Sequence, residues 1–156
     1  MATAHLIHGY LGAGKTTFAR RLEVERRAVR FTPDEWMAGL FGEDPPENTF
    51  QRNLTNVLRL LEDLWLRCLV LGVDVVLDYG FWRRAERNHV RAIVKNVGAE
   101  VALYRLTCPD EEARTRVGKR NLDEGRSLFI APATFETLKS RFEPLDSDEP
   151  YSDVTA

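Results

Sequence analysis

Cysteine and long apolar runs are both scarce in this sequence. The two cysteines, Cys68 and Cys108, lie in apolar segments and lack the spacing of a metal site or a redox pair. A disulfide framework is therefore excluded, and a reducing, cytoplasmic compartment is the simpler expectation. No stretch approaches the ~18 uncharged apolar residues that a membrane helix needs. Residues 1–14 carry no charged side chain, but they lack the basic start of a signal peptide, so no leader is expected.

The chain also lacks an excess of charge of either sign. It has 22 Lys and Arg and 24 Asp and Glu, which gives a formal net charge of −2. This balance provides no overall field to attract duplex nucleic acid or an anionic membrane, so neither is an expected partner. Hydrophobic residues make up 44% and charged residues 29% of the 156 residues, the profile of a folded globular chain. At roughly 150 residues per domain, we expect one domain spanning 1–156.

Short apolar runs that suit buried strands alternate with stretches of helical periodicity. This alternation predicts right-handed crossovers and a parallel sheet covered by helices on both faces. The fold class expected is therefore α/β, with three layers and a mostly parallel sheet. The acidic segment 145–156 is expected to form a mobile tail. The predicted strands are 4–8, 29–31, 73–78 and 101–106, and the predicted helices are 15–27, 34–40, 50–71, 83–97, one that starts near 109, and 134–142.

The most specific motif follows the first predicted strand. Residues 9–16 read GYLGAGKT, a complete match to G-x-x-x-x-G-K-[ST] between a predicted strand and a predicted helix. In that context, successive backbone N–H groups surround phosphates at the positive end of the helix. Lys15 is then expected to reach the β- and γ-phosphates, and the Thr16 hydroxyl to bind magnesium. The predicted nucleotide-binding residues are Gly9, Gly12, Ala13, Gly14, Lys15, Thr16 and Thr17.

Two motifs that other nucleotide-binding proteins carry are missing. Residues 95–98 read KNVG, so they do not form the N-K-x-D motif that would select guanine. Motor and remodelling ATPases usually end the corresponding strand in paired acids, whereas Asp78 is followed by Tyr79. These absences favour a kinase that uses ATP. The alternatives are an ATPase or GTPase coupled to a partner protein, and a non-catalytic nucleotide-binding module.

Two aspartates are candidates for the chemistry. Asp34 follows the second predicted strand, where a carboxylate would lie near the phosphate loop and could accept the proton of a substrate hydroxyl. Its alternative role is that of an acid in the first turn of a helix, since Thr32 and Glu35 have the spacing of a capping box. Asp78 ends the strand 73–78, at the edge where ligands bind in open α/β sheets. It is expected to hold magnesium or orient the acceptor, and its alternative is a plain turn residue.

Arginines cluster in two later segments. Arg116 and Arg120 are four residues apart on a predicted helix and hence share a face. They could close as a lid over the triphosphate, in a region of about 114–132, so they are predicted to bind the nucleotide and to neutralise the transferring phosphoryl group. In the other segment, Arg84 and Arg87 could contact an anionic substrate, and their alternative is a solvated basic face. Further basic residues in these segments are Arg83, Arg114, Lys119 and Arg126.

Four segments carry a resemblance to a known family. They read GYLGAGKTT, TPDEWM, VVLDYGFWRRAER and RVGKRN, within about 4–144. Together they resemble the small P-loop kinases of the AAA-domain group, which includes polynucleotide 5′-hydroxyl kinase domains, zeta toxins, chloramphenicol phosphotransferase and gluconate kinase. The resemblance implies a P-loop NTPase fold and transfer of the ATP γ-phosphoryl group to a hydroxyl. Asp34 matches the catalytic acid position of these kinases, and Arg116 and Arg120 match their lid arginines.

The acceptor expected from this resemblance is a small molecule. Asp34 is followed by Glu35 and Trp36 rather than by the acid and arginine pattern of polynucleotide kinases. This difference and the near-neutral charge both argue against a nucleic-acid acceptor. The segment GYLGAGKTT is also similar to the loop of metallochaperone GTPases, but their Cys-x-Cys-Cys motif is absent. We therefore expect a kinase that uses ATP and Mg²⁺ to phosphorylate a small-molecule hydroxyl.

Overall fold

Strands and helices alternate along the chain, as the sequence predicts. The computed structural model describes residues 1–122 and 128–155, so Arg126 and part of the predicted lid lie outside the described residues. Most boundaries lie within a few residues of the predicted ones. The elements are β1 (Thr3–His8), α1 (Lys15–Arg26), β2 (Val29–Phe31), α2 (Pro33–Phe41), α3 (Glu47–Val70), β3 (Val75–Gly80), α4 (Arg84–Asn96), β4 (Glu100–Thr107), α5 (Asp110–Leu122), α6 (Pro132–Lys139) and β5 (Ser152–Thr155).

The strands form one sheet in the order β2-β3-β1-β4-β5. Every neighbouring pair is parallel, with Leu6 of β1 opposite Leu77 of β3 and Leu103 of β4. In a parallel sheet the carboxyl ends of all strands lie at the same edge. The loops that follow β1 and β2 therefore meet the end of β3 there, and this arrangement creates the site described below.

The two faces of the sheet bury separate groups of apolar side chains. Because neighbouring residues of a strand point to opposite faces, Leu6 packs with Trp65 of α3, whereas Ile7 packs with Ala19 of α1. All four side chains are essentially inaccessible to solvent. Burial of each large apolar side chain contributes about 1.5–3 kcal/mol to stability, so both helical layers are firmly attached. The predicted three-layer α/β arrangement is confirmed.

Helix α3 is the longest element, with 24 residues. Leu61, Trp65 and Leu69 follow one another at intervals of four and are buried against the sheet. This spacing places them on one face of the helix, which explains why the sequence predicts the element well. In the described parts of the chain, no helix combines the length and the apolar character that crossing a membrane requires.

Strand β3 begins and ends later than predicted. It spans Val75–Gly80, so Asp78 lies inside the strand rather than at its last residue. Asp74 lies in the short connection before it, where its carboxylate accepts hydrogen bonds from the Thr3 amide at 2.9 Å and from His5 Nε2 at 3.2 Å. These bonds attach the connection to the start of β1, so Asp74 precedes the strand that was predicted to include it.

The prediction of a mobile acidic tail is wrong. Strand β5 pairs in parallel with β4, with Tyr104 opposite Ser152 and Leu106 opposite Val154. Glu149, three residues before this strand, is buried, with only 4% of its surface exposed. It accepts hydrogen bonds from arginines of α4, which compensate for the cost of burying its charge. The acidic carboxyl-terminal segment is therefore attached to the rest of the protein. Its acidic side chains pair with arginines of α4, which are far away in the sequence.

Candidate active site

The segment GYLGAGKT forms the turn between β1 and α1. Gly12 and Gly14 have φ angles of +76° and +92°, in the left-handed region that glycine adopts without steric penalty. A Cβ atom on Gly12 would lie 2.3 Å from the carbonyl oxygen of Ala113 in α5. The loop thus passes directly beneath α5 and leads into the amino-terminal end of α1. This is the geometry in which backbone N–H groups and the helix dipole bind phosphates.

Lys15 is the first residue of α1 and points back over the loop. Its Nζ donates a hydrogen bond to the carbonyl oxygen of Tyr10 at 3.1 Å. Desolvation by the surrounding protein lowers the pKa of Lys15, while the charges of Asp78 and Asp34 raise it and that of Arg120 lowers it. The ammonium group therefore lies among the predicted carboxylates and the predicted lid, where an anionic ligand would replace missing solvation.

Asp78 joins the phosphate loop to the end of β2. Its Oδ2 accepts a hydrogen bond from the hydroxyl of Thr16 at 2.7 Å and another from the hydroxyl of Thr32 at 3.0 Å. The carboxylate is buried, with 6% of the residue exposed. These two bonds fix one oxygen of Asp78 directly beside the hydroxyl that is predicted to bind magnesium. The plain turn role considered for Asp78 does not describe this arrangement.

Asp34 lies in the first turn of α2 and is open to solvent. Desolvation by the surrounding protein nevertheless raises its pKa, the charges of Lys15 and Arg120 lower it, and that of Asp78 raises it. Among the described residues, none forms an ion pair or a side-chain hydrogen bond with Asp34. The structure thus leaves its carboxylate available, next to the groups that are predicted to handle phosphate.

The predicted capping box at the start of α2 does not form. The Thr32 side chain makes no hydrogen bond to the amino-terminal turn of α2. Both oxygens of Glu35 instead accept hydrogen bonds from Nη1 of Arg30 at 3.2 Å. The charged partners Arg30 and Asp78 compete successfully for these two side chains, because hydrogen bonds that involve an ionised group are stronger than neutral ones.

The predicted lid arginines lie above the phosphate loop. Nη1 of Arg116 donates to the carbonyl oxygen of Gly12 at 3.4 Å, and Nη2 donates to Glu112 at 2.6 Å. Arg120 lies near enough to influence the pKa values of both Lys15 and Asp34. Helix α5 therefore brings both guanidinium groups to the site, one turn apart on the same face.

Helix α6 packs against α5 and is joined to it by ion pairs. Ion pairs join Arg114 to Glu136 and Lys139 to Asp110. At the carboxyl end of α5, the side-chain amide of Asn121 donates to the carbonyl oxygen of Ile130 at 2.6 Å and accepts from its amide at 2.9 Å. These contacts hold the described part of the predicted lid in one orientation relative to the loop.

The structure contradicts the prediction that Arg87 contacts an anionic substrate, and it pairs Arg84 with acidic side chains at an exposed position. Arg87 is entirely buried and donates to both oxygens of Glu149, at 2.8 and 2.9 Å. Arg84 donates to Asp146 at 2.6 Å and to Asp148 at 2.7 and 2.8 Å. Both guanidinium groups are thus paired with acidic side chains of the carboxyl-terminal segment. The paired residues are 62 or 64 positions apart in the sequence.

Sequence reasoning missed several aromatic residues around the loop. The indole N–H of Trp82 donates to the carbonyl oxygen of Gly9 at 3.1 Å, and the hydroxyl of Tyr10 donates to the carbonyl oxygen of Phe135. The rings of Tyr10 and Trp82 lie 5.2 Å apart, and Phe142 contacts both. Only the isolated hydrophobic character of these residues was visible in the sequence. Their packing supports the start of the phosphate loop from the side of α6.

The donor set fits a magnesium ion that arrives with a nucleotide. In the described residues, no group of three or more His, Cys, Asp and Glu side chains is arranged to hold a metal. Thr16 and Asp78, joined by a hydrogen bond, would instead supply one hydroxyl and one carboxylate. Magnesium is commonly bound by one or two such oxygen ligands together with phosphates and waters, so these residues match that requirement.

Comparison with known proteins identifies a matching family and structures of the same fold. A family model described as "AAA domain" matches residues 5–145. No curated protein sequence matches the chain. Among solved structures, a protein of Chloroflexus aurantiacus J-10-fl has a TM-score of 0.75 at 17% identity, with 99% of this chain and 88% of that chain covered.

Two further solved structures share the fold. Chaetomium thermophilum Kti12, in complex with ADP-AlF3, has a TM-score of 0.69 at 17% identity, over 97% of this chain and 88% of that one. A sugar kinase from Janibacter sp. HTCC2649 has a TM-score of 0.67 at 22% identity, over 100% of this chain and 85% of that one. At these identities the similarity establishes the fold alone. The resemblance to the AAA-domain group is confirmed by the family model.

Proposed function

The chain belongs to the AAA domain family, and we propose that it is a kinase that transfers the γ-phosphoryl group of Mg·ATP to a hydroxyl group of a small molecule. The observation that carries this proposal is the position of Asp34. Its carboxylate lies close enough to Lys15, Asp78 and Arg120 for their charges to act on it, and no described side chain forms an ion pair or a hydrogen bond with it. A simple binding module would not need a second, unpaired carboxylate at this place, whereas phosphoryl transfer to a hydroxyl needs a base there.

The phosphate loop and the lid would bind the nucleotide. When bound, Mg·ATP supplies a γ-phosphoryl group whose charge must be neutralised for transfer. Lys15 and the backbone of residues 9–16 would hold the phosphates, and Thr16 and Asp78 would hold the metal. Arg116 and Arg120 reach the same loop from α5 and provide positive charge on the opposite side. Positive groups placed beforehand in this way stabilise developing negative charge without reorganisation.

Asp34 would act as the general base. The acceptor hydroxyl gives its proton to the Asp34 carboxylate, its oxygen forms the new bond to phosphorus, and the bond to the leaving ADP oxygen breaks. The pKa of Asp34 is raised above its ordinary value of 3.8, mainly by desolvation. A carboxylate with a raised pKa is a stronger base, and its deprotonated form is the one that accepts the hydroxyl proton.

The charge distribution supports a small acceptor. Arg84 and Arg87, the arginines that could have faced a nucleic-acid backbone, are neutralised by Asp146, Asp148 and Glu149. The fold similarity to a sugar kinase is consistent with a hydroxyl acceptor of this kind. We also propose a reducing compartment such as the cytoplasm, since both cysteines of the chain are free thiols.

Two measurements test the proposal. Competition between ATP and GTP for binding should favour ATP, and labelled ATP should transfer its γ-phosphoryl group to at least one member of a panel of hydroxyl metabolites, aminoglycosides and nucleosides. Lys15→Met should abolish transfer, whereas Lys95→Met, which changes an exposed lysine of α4, should not. Preferential GTP binding, or ATP hydrolysis that no hydroxyl compound intercepts, would contradict the kinase assignment.

A further inference from the structure

Thr32 is a buried polar residue to which the proposed reaction gives no role. It stands immediately before α2, with 5% of its surface exposed, but its hydroxyl does not cap that helix. The hydroxyl instead donates to Oδ2 of Asp78 at 3.0 Å. This is the same oxygen that accepts the hydrogen bond of the predicted magnesium ligand Thr16. Two threonine hydroxyls, one at the start of α1 and one immediately before α2, therefore hold one carboxylate oxygen.

Arg30 determines which way the Thr32 hydroxyl points. Nη1 of Arg30 lies 2.6 Å from Oγ1 of Thr32. A guanidinium group has only donors, so Thr32 must accept this hydrogen bond and its single proton is left for Asp78. A hydroxyl that accepts from a cation is polarised and becomes a stronger donor. Because Arg30 can only donate, the hydrogen bonds run from Arg30 to Thr32 and from Thr32 to Asp78.

Arg30 is itself held from two helices. Its Nε donates to Glu23 of α1 at 3.0 Å, and its Nη1 donates to both oxygens of Glu35 of α2 at 3.2 Å. The Arg30 side chain is only 16% exposed, so these bonds are weakly screened. The orientation of Thr32 is therefore determined by the packed helices around it and not by a mobile side chain.

We propose that Thr32 is a positioning residue that orients Asp78 for magnesium. Both hydroxyls bond to Oδ2, and among the described residues no donor reaches Oδ1, which leaves that oxygen to face the ion or one of its waters. Without the Thr32 bond, the Asp78 carboxylate can rotate away from the position beside Thr16. This inference rests on the proposed function, because the ion enters the site with ATP.

Calorimetric binding of ATP tests this role without measuring turnover. ATP affinity is measured once with Mg²⁺ present and once with EDTA present. The first affinity divided by the second is called the magnesium enhancement. Thr32→Val removes the hydroxyl and keeps the shape. It should lower the enhancement ~10-fold, as expected when a residue that orients a metal ligand is lost, with ATP affinity in EDTA unchanged. Thr32→Ser keeps the hydroxyl and should retain most of the enhancement.

Thr55→Val is the matched control. Thr55 is exposed on α3, where its hydroxyl donates to the carbonyl oxygen of Gln51 at 2.9 Å, and the change should leave the magnesium enhancement as in the unsubstituted protein. Thermal unfolding of every variant verifies folding. If Thr32→Val does not fold, Thr32→Ala, which adds no methyl group beside the carboxylate, takes its place.

The outcomes separate this inference from the proposed function. An unsubstituted protein that binds ATP normally and a Thr32→Val variant with the same magnesium enhancement overturn the inference alone. An equal loss in Thr32→Ser and Thr32→Val also overturns it, because the hydroxyl would then not be responsible. An unsubstituted protein that binds no ATP in either condition overturns the proposed function and this inference together.

Discussion

Arg87 and Glu149 form a fully buried ion pair that attaches the carboxyl-terminal segment to helix α4. Their side chains are 0% and 1% exposed, and two hydrogen bonds of 2.8 and 2.9 Å join them. Arg91 and the amide of Asp146 complete the shell around the Glu149 carboxylate. Such a pair is tolerated only when every charge is bonded, so the removal of one partner leaves an uncompensated buried charge.

Glu149→Gln should therefore destabilise the fold by about 3 kcal/mol or more, since Arg87 would lose its counter-charge in a buried position. Urea unfolding at neutral pH measures this change in the free energy of unfolding. Asp148→Asn is the control, because Asp148 pairs with Arg84 at an exposed position, where solvent screens the ion pair and its loss should change stability much less. Equal effects of the two substitutions would contradict the role assigned to the buried pair.

Glu149 also makes the free energy of unfolding depend on pH in the acid range. Desolvation raises the pKa of Glu149, but hydrogen bonds from Arg87, the Asp146 amide and Arg91 outweigh it and hold the pKa at about 2. The unfolded value is 4.5, so the unfolded chain takes up the proton first as pH falls. The stabilisation is complete above pH 4.5 and is lost as pH falls toward 2. Unfolding free energies measured over this range should fall steeply, and Glu149→Gln should remove this part of the slope.

His8 makes the free energy of unfolding depend on pH in a second, higher range. Desolvation lowers its pKa to about 4 from 6.5, while it keeps a 3.0 Å hydrogen bond to the Phe81 carbonyl. The unfolded chain therefore binds a proton between pH 6.5 and 4 that the folded chain does not, and stability falls as pH falls through this range. From pH 7 to pH 5 the loss should be on the order of 1–2 kcal/mol. His8→Asn, which keeps a donor but cannot titrate, should flatten this segment of the curve.

Asp34→Asn should separate binding from transfer. Because the amide cannot accept the acceptor proton, phosphoryl transfer should fall ~10²-fold or more while ATP affinity is retained. In the unsubstituted protein, transfer should decline on the acid side with an apparent pKa above 3.8, the ordinary aspartate value. Asp44→Asn, at an exposed residue beyond α2, is the control. Unchanged transfer in Asp34→Asn would leave this residue only a place in the first turn of α2.

Arg120→Ala tests the lid. Removal of a guanidinium group from the site should reduce turnover ~10²-fold, and thermal stability should change little. Lys119→Ala removes an adjacent charge from the exposed side of α5 and should have little effect on turnover. Equal turnover in the two variants would place Arg120 outside the site.

Gly12→Ala tests the fit of the loop beneath α5. The new Cβ would lie 2.3 Å from the carbonyl oxygen of Ala113 at a φ of +76°, so nucleotide affinity and stability should both fall. Gly39→Ala is the opposite case, because no atom lies within 4 Å of its Cβ position and it is inside helix α2. It should stabilise the protein by about 0.5–1 kcal/mol. Calorimetry measures the ATP affinity of both variants, and thermal unfolding measures their stability.

Local patterns were sufficient for most of the fold. The buried positions Leu61, Trp65 and Leu69 recur at helical spacing, and GYLGAGKT combines a specific motif with its strand and helix context. Such signals lie within a few neighbouring residues, where backbone geometry alone relates one side chain to the next. Strand β5 was missed because Ser152–Thr155 is short and follows acidic residues that resemble a solvated tail.

The sequence by itself determined the parallel α/β fold, the phosphate loop and the presence of candidate acids and arginines at the ends of particular elements. Only the tertiary structure decided which of those charged groups are available. Arg87 is paired with a glutamate 62 positions away, Glu35 is engaged by Arg30, and Asp34 is left open beside Lys15. The physical reason is that a buried charge must find an opposite charge in space, and that partner is chosen by packing of distant segments.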